Sequence, residues 1–446
     1  MIVRSNILLE SQKPNKSTSP TIVERDAHNI SRANISESAL KVLYRLKKAD
    51  YDAFLVGGGV RDLLLDRHPK DFDIVTNALP EDAGTLFRNS RLIGRRFRLV
   101  HVHFGRDYIE VATFRGHHDE SITEVVNTDR HVEDGMLIRD NIYGTIEEDA
   151  WRRDFTINAL YYNIQNFSVV DYTGGLADLK QGLIRIIGDA TERYREDPVR
   201  MLRAVRFAAK LDFEIESSTE APIYPLADRL SAVPPARLFE EVLKMFLGGH
   251  AVKTYELLRT YGLFGQLFPD TEAVLSGEDS FAADFDTFIK QGLANTDSRI
   301  AQGKPVTPAF LFAILLWGPV QRSVEQHEAS GMRSLQAHQQ AGTHIIMRQA
   351  ETVALPKRFS IQTREIWALQ PRLFGRSGSR AHRLLTVPRF RAGYDFLLLL
   401  AETITPDLAS LGQWWTKFQE VSEQDRADMV KKIQSPRRRR HRPKQS

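Results

Sequence analysis

The chain has 446 residues, 42% of them hydrophobic and 26% charged, which is enough material for two or more cores. It contains no cysteine, so disulfides and thiolate chemistry are excluded and a reducing cytosol suits it. The net charge of +4 and pI near 9.1 name no partner by themselves, and apolar runs such as Phe310 to Trp317 and Phe396 to Ala401 are too short for a membrane span.

Residues 1–33 are polar, rich in Ser, Asn and Lys, and read as a mobile arm without a secretory apolar segment. Ser36 to Lys48 carries Ala39, Val42, Leu43 and Leu46 at helical spacing. Phe54-Leu55-Val56, then Gly57-Gly58-Gly59, then an amphipathic Val60 to Leu65 reads as strand, tight turn and helix. Glycines let backbone N–H groups approach an anion, and a helix N-terminus favours phosphate there. The turn is neither a P-loop nor a dinucleotide fingerprint, and a plain packing turn is the alternative. In Asp71-Phe72-Asp73, residues i and i+2 of a strand share a face, so the two carboxylates stand side by side and repel unless a cation lies between them. A hard divalent ion with oxygen ligands fits best, and the phosphate turn a dozen residues upstream favours this over a solvated strand end.

Pro80 to Arg88 reads as a helix, and Leu99 to Phe104 and Ile109 to Phe114 as strands. Glu110, between Ile109 and Val111, either faces solvent on an edge or joins the metal site. His101, His103, His117 and His118 lack zinc-helix spacing. Arg95, Arg96 and Arg98 steer phosphate or form a solvated cluster. From Arg115 to Glu148 the chain is polar and aperiodic, as in a flap or a disordered connection. Trp151 to Asn163 reads as a helix with Asp154 and Asn158 on one face, and Val169 to Gly175 as a hairpin turning at its paired glycines. In Arg193 to Phe207, Asp197 caps a helix with Pro198 at its first position, and Arg200, Arg203 and Arg206 form a basic stripe for phosphates or base edges, or else a solvated face.

The remainder reads as helical, with Ser276 to Lys304 a looser inserted connection. Arg372, Arg376, Arg380, Arg383, Arg389 and Arg391, interleaved with Phe374 and Phe390, are the composition that holds single strands without sequence readout. The last ten residues include Arg437, Arg438, Arg439 and Arg440 and attract polyanions, nucleic acid before a membrane surface.

G-G-G-V-R-D from Gly57, followed by K-D-F-D from Lys70, resembles the head-domain signature of class II nucleotidyltransferases, which comprise bacterial poly(A) polymerases and tRNA CCA-adding enzymes. Arg152, Arg153, Asp154 and Asn158 match the family's R-R-D-x-x-x-N motif, and Glu196, Asp197 and Arg200 its E-D-x-x-R motif. The resemblance implies an α+β, mixed-sheet head over 34–150, a neck over 151–220 that recognises nucleotide and base, a helical RNA-binding body over 221–425 and a basic tail over 426–446. It implies a catalytic set of Asp71, Asp73 and Asp154, with Asp71 and Asp73 holding two Mg²⁺ (or Mn²⁺) ions and Glu110 a possible third carboxylate. Gly58, Gly59, Arg61 and Asp62 would cradle the triphosphate, Asp154 would orient the ribose with Arg152, Arg153 and Asn158 near it, and Asp197 and Arg200, with Arg203 and Arg206 beyond, would meet the base. G-R-R-F-R-L-V-H-V-H-F-G from Gly94, F-R-G-H-H from Phe114 and L-P-K-R-F from Leu355 look like the bacterial poly(A) branch. The expectation is a cytoplasmic enzyme adding AMP from ATP to RNA 3′ ends, with RNA-decay proteins as partners. A CCA-adding enzyme and a non-catalytic RNA-binding scaffold are the alternatives.

Overall fold

A computed structural model describes residues 19–94, 98–116, 131–133, 136–139 and 142–433. The chain divides into two compact units, Met1–Arg200 with Leu211–Ile223, and Met201–Lys210 with Tyr224–Ser446.

The strands of the first unit are β1 (Thr21–Val23), β2 (Ala53–Val56), β3 (Asp73–Thr76), β4 (Ser90–Ile93), β5 (Leu99–Phe104), β6 (Asp107–Thr113), β7 (His131–Glu133), β8 (Met136–Arg139), β9 (Leu160–Asn163), β10 (Val169–Asp171), β11 (Leu183–Ile184) and β12 (Glu214–Ile215). Eight of them form one mixed sheet in the order β1-β10-β9-β2-β3-β6-β5-β4. Its pairings are antiparallel except β3 with β6, whose parallel pairing uses the crossover through Pro80–Leu86, β4 and β5. The central β2 is buried along its whole length, which is why it reads as an unbroken apolar run rather than an alternating one. Helices of this unit are α1 (Glu37–Lys48), α2 (Gly58–Leu64), α3 (Pro80–Leu86), α4 (Ile146–Arg152), α5 (Gly175–Gln181) and α6 (Ala190–Glu196), and α7 (Val199–Leu211) carries the chain into the second unit. The Ser36 hydroxyl accepts the Ala39 N–H at 3.2 Å to start α1, and the expected stripe of Ala39, Val42, Leu43 and Leu46 is buried.

Four sequence expectations change here. The described part of the N-terminal arm is ordered, since Thr21–Val23 adds an edge strand to β10; residues 1–18 lie outside the described residues. The stretch before α4 holds the short β7–β8 hairpin, and α4 itself opens with a capping box between Thr145 and Glu148. The hairpin is β9–β10, closed before Gly174. Gly174 and Gly175 instead open α5, where Asp171 Oδ1 accepts both their N–H groups at 3.0 and 3.1 Å. Lastly, Ser276 to Lys304 is no loose connection: Ser280–Ala301 is a 22-residue helix burying Phe285, Phe288, Ile289 and Leu293.

The second unit is helical among the described residues. Its two fully buried tryptophans have their polar atoms satisfied: the Trp367 indole N–H donates to the Ala313 carbonyl at 3.1 Å and that of Trp415 to the Leu373 carbonyl at 2.9 Å.

Candidate active site

The site begins where β2 runs out. Gly57 adopts φ +73°, a conformation open to glycine at little cost, and its carbonyl accepts the Arg61 N–H at 3.1 Å to start α2. A side chain on Gly59 would bring its Cβ within 3.3 Å of the Asp71 carbonyl oxygen, so the turn lies directly against the approach to β3. Asp71 precedes the strand and Asp73 begins it; both are exposed while Phe72 and Ile74 are buried, the alternation expected of an extended segment.

Glu110 joins this row. The parallel β3–β6 register places it opposite Asp73, and the β5–β6 register places His101 opposite Glu110, with His101 Nε2 3.6 Å from Glu110 Oε2. Asp73 keeps an outer edge in solvent but has protein on its other sides, and this desolvation, with Glu110 and Asp71 adding repulsion and Arg153 opposing it, pushes its carboxyl up to about 6. Burial likewise raises Glu110, against the pull of Arg115. Burial and His103 hold His101 below its usual value, so it is a neutral neighbour rather than a counter-ion. Among the described residues no group of three or more His, Asp or Glu side chains forms a finished metal cage. A row of hard oxygen donors short of positive charge fits a small divalent cation that shares its coordination with substrate phosphates rather than one enclosed by protein.

Behind the row lies a cluster that sequence spacing did not announce. Asp149, buried on α4, accepts from Arg153 Nε and Nη2 at 3.1 and 2.9 Å and from the Tyr161 hydroxyl at 2.8 Å; its other oxygen accepts the Arg115 backbone N–H at 3.2 Å. Burial opposes the Arg153 charge, but Tyr161 and Asp149 outweigh it and the guanidinium is held firmly protonated. Arg153 Nη1 lies 3.6 Å from where a Gly57 Cβ would sit. The Arg153 charge thus stands beneath the glycine turn. Arg152 points elsewhere, donating to the Gly116 carbonyl at 2.5 Å.

The expected helix from Trp151 to Asn163 ends at Arg152, because Arg153 turns to an extended conformation and Thr156–Asn158 forms a single 3₁₀ turn before β9. Asp154 and Asn158 still meet: Asp154 Oδ1 accepts the Phe155 N–H at 2.8 Å and the Asn158 amide at 3.2 Å. The Asn158 side-chain oxygen Oδ1 in turn accepts from Arg61 Nη1 at 2.6 Å, and Arg61 Nε and Nη2 clasp Asp62 Oδ1 at 2.8 and 2.6 Å. With only 2% of its surface exposed, Arg61, expected with Asp62 to help cradle the triphosphate, is a strut joining α2 to the Asp154 turn.

A second arginine assembly caps α6. Glu196 Oε2 accepts from Arg193 Nη1 at 3.1 Å and Arg200 Nη1 at 2.7 Å, and Arg200 also donates to the Arg193 carbonyl at 2.7 Å. Arg193 Nη2 reaches the carbonyls of Arg152 and Arg153 at 2.9 and 2.6 Å, tying this assembly to the Asp154 turn. Asp197 Oδ1 accepts the Val199 N–H at 3.2 Å, so its capping role holds with α7 beginning one residue after Pro198. Arg203 and Arg206 follow on α7, 5.3 and 4.6 Å from the Phe207 ring centre.

In the second unit, Arg372, Arg380, Arg383, Arg389 and Arg391 are exposed, and Arg376 lies over Trp414 at 5.6 Å. Of the two interleaved aromatics only Phe374 is open, at 60% exposure; Phe390 packs on Trp415 at 5.3 Å in the core, because it opens the helix Phe390–Thr403 on that helix's buried face. Arg98 pairs with Glu81 at 2.7 Å. Arg95, Arg96, His117, His118, Arg437, Arg438, Arg439 and Arg440 lie outside the described residues.

Three family models match the chain: "Poly A polymerase head domain" over residues 53–185, "Probable RNA and SrmB- binding site of polymerase A" over 212–275, and "Polymerase A arginine-rich C-terminus" over 330–446. The chain is 51% identical to poly(A) polymerase I of Escherichia coli O157:H7 over 95% of its own length and 92% of that protein, and 45% identical to that of Haemophilus influenzae over 95% and 94%. A CCA-adding enzyme of Lactobacillus helveticus is 40% identical over 49% of the chain and 52% of its own length. Among solved structures, the Bacillus stearothermophilus CCA-adding enzyme in complex with CTP aligns over 90% of this chain and 89% of that one with a TM-score of 0.56 at 26% identity. With half of its residues shared over nearly its whole length, the chain belongs to the bacterial poly(A) polymerase family of class II nucleotidyltransferases.

Proposed function

We propose that the protein is a template-independent poly(A) polymerase that transfers AMP from ATP to RNA 3′-hydroxyls, releasing pyrophosphate and leaving tails that promote RNA turnover. The observation that carries the reading is the row Asp71, Asp73 and Glu110 beside the Gly57–Gly59 turn, in a chain that resembles poly(A) polymerase I over 95% of its length. Asp71 and Asp73, with Glu110 in register, would hold two Mg²⁺ ions (Mn²⁺ being the alternative), which when bound supply the positive charge that favours a nucleophilic 3′-hydroxyl and a departing pyrophosphate.

The rest falls to the chain's own groups. Gly58 and Gly59 let the triphosphate approach the backbone, while Arg61, locked between Asp62 and Asn158, fixes the turn against the Asp154 loop. Asp154, oriented by Asn158, accepts from the ribose hydroxyls. Asp197 and Arg200 meet the adenine edge. Glu196 and the Arg193 carbonyl hold the Arg200 guanidinium in one place, so the pocket presents one hydrogen-bonding pattern through successive additions. RNA is held by exposed arginines of the second unit, cation by cation rather than base by base. No helix among the described residues is long and apolar enough to cross a membrane, and a cytoplasmic setting with RNA-decay proteins as partners suits the reading.

The test is to incubate the purified protein with a labelled generic RNA or a labelled tRNA lacking its CCA end, and with each nucleoside triphosphate separately or CTP and ATP together. Long ATP-dependent tails support the reading. A ladder that needs CTP and ATP, forms only on tRNA and halts at CCA would assign instead the CCA-adding activity named for the relative matched over half of its length.

A further inference from the structure

We propose that a cleft of about 830 Å³ within the second unit binds single-stranded RNA upstream of the 3′ end, an inference that rests on the polymerase reading. One wall is the end of the helix Ser280–Ala301 and the residues after it, contributing Arg299 and Lys304; the other contributes Arg389 and Arg391; Phe310 and Leu398 supply apolar lining. These walls come from stretches some ninety residues apart, and nothing in the sequence around Arg299 marked it for nucleic acid.

The volume lies in the range of small-ligand sites, large enough for a nucleotide unit. Four cations face two carboxylates, Asp395 and Glu402. Arg391 is paired with Asp395 at 2.9 Å. Arg299 donates to the Pro305 carbonyl at 3.0 Å and Lys304 to the Gln302 side-chain oxygen at 2.6 Å, both neutral acceptors; the Arg299 charge also acts on Asp395, while Lys304 keeps its charge for an anion. Arg389 is held only loosely, 3.9 Å from Glu365. It also adopts φ +70°, a left-handed conformation that a non-glycine residue takes at a cost on the order of 1 kcal/mol and that collects at ligand-binding positions. Cations on opposing walls with an aromatic and aliphatic lining match the alternation of phosphate and base in a single strand.

The experiment uses the full chain with Arg299→Gln, Lys304→Gln and Arg389→Gly combined, and Arg389→Gly alone. The glycine variant removes a cation at a backbone position glycine prefers, so its melting temperature should not fall. Fluorescence anisotropy with a 20-nucleotide oligo(A) between 50 and 200 mM salt should show the slope of log affinity against log salt reduced by about 2 in the triple variant, at roughly 0.7 per phosphate contact, and affinity at 100 mM salt at least tenfold weaker. An unchanged slope and affinity in a folded triple variant overturns the proposal. So does intact oligo(A) binding with loss of poly-glutamate binding, which would make the cleft a site for an acidic protein. If the wild-type chain extends no RNA with ATP, the polymerase reading fails on its own and the oligo(A) titration still decides the cleft.

Discussion

Asp73 is where the demands of chemistry and of stability part. Its carboxyl ordinarily titrates at 3.8 and here at about 6, because desolvation, Glu110 and Asp71 disfavour the charge. An acid raised in the folded state binds its proton more tightly folded than unfolded, so the destabilisation is absent below about pH 4 and complete above about pH 6. With divalent ions chelated, Asp73→Asn should therefore raise the melting temperature at pH 7.5 by roughly 2 °C or more and raise it less at pH 4.5, and in a separate assay with Mg²⁺ supplied at pH 7.5 it should abolish AMP transfer. A melting temperature at pH 7.5 that falls would contradict the account of the carboxylate row. Asp149 is the opposite case. Replacing it by Ala leaves Arg153 and the Tyr161 hydroxyl buried without their common acceptor, and urea unfolding should show a loss of about 3–5 kcal/mol. Asp71, Asp73, Asp154 and Asn158 could be read from the sequence because their spacing carries a periodicity or a motif. Asp149 and Tyr161 could not, since a buried polar hub is assembled by tertiary contact, and an acidic residue in the first turn of a helix looks like any other.

At the level of elements, the strand, glycine turn, helix and returning strand were legible because each has a local cause: a buried apolar run, a positive φ, an amphipathic stripe. The Asp154 turn was not. Five residues of helical spacing cannot distinguish a continuing helix from a 3₁₀ turn entered after an extended Arg153, and the choice is made by Ile187 donating to the Asp154 carbonyl at 2.9 Å and Thr156 donating to that of Arg185 at 3.0 Å. Ser280–Ala301 was missed because its apolar positions are diluted by Asp, Gln, Asn and Thr, so that tertiary packing rather than a clean stripe fixes it. The turn's two outer glycines make separable predictions. Gly57→Ala forces a side chain into φ +73° and should cost about 1–2 kcal/mol of stability, read from the urea midpoint. Gly59→Ala instead presses on the Asp71 carbonyl at 3.3 Å, and should lower the turnover number more than tenfold with a smaller change in stability. Equal effects of both on turnover would contradict the packing of the turn against Asp71.

For the whole molecule, the account separates chemistry in the first unit from RNA holding in the second. Deleting residues 437–446 removes five arginines and one lysine, which should weaken RNA binding and shrink its salt slope without changing which nucleotide is used. An altered nucleotide preference in the truncated chain would break that separation. The central claim is that one fixed base pocket serves repeated AMP addition to any RNA end, and it is tested most directly by resolving products on a sequencing gel after incubation of the full chain with a generic RNA or a tRNA lacking its CCA end, each with ATP alone, CTP alone or both. The account predicts long, heterogeneous tails with ATP and little use of CTP. A product confined to tRNA, requiring both CTP and ATP and stopping at CCA, would contradict it.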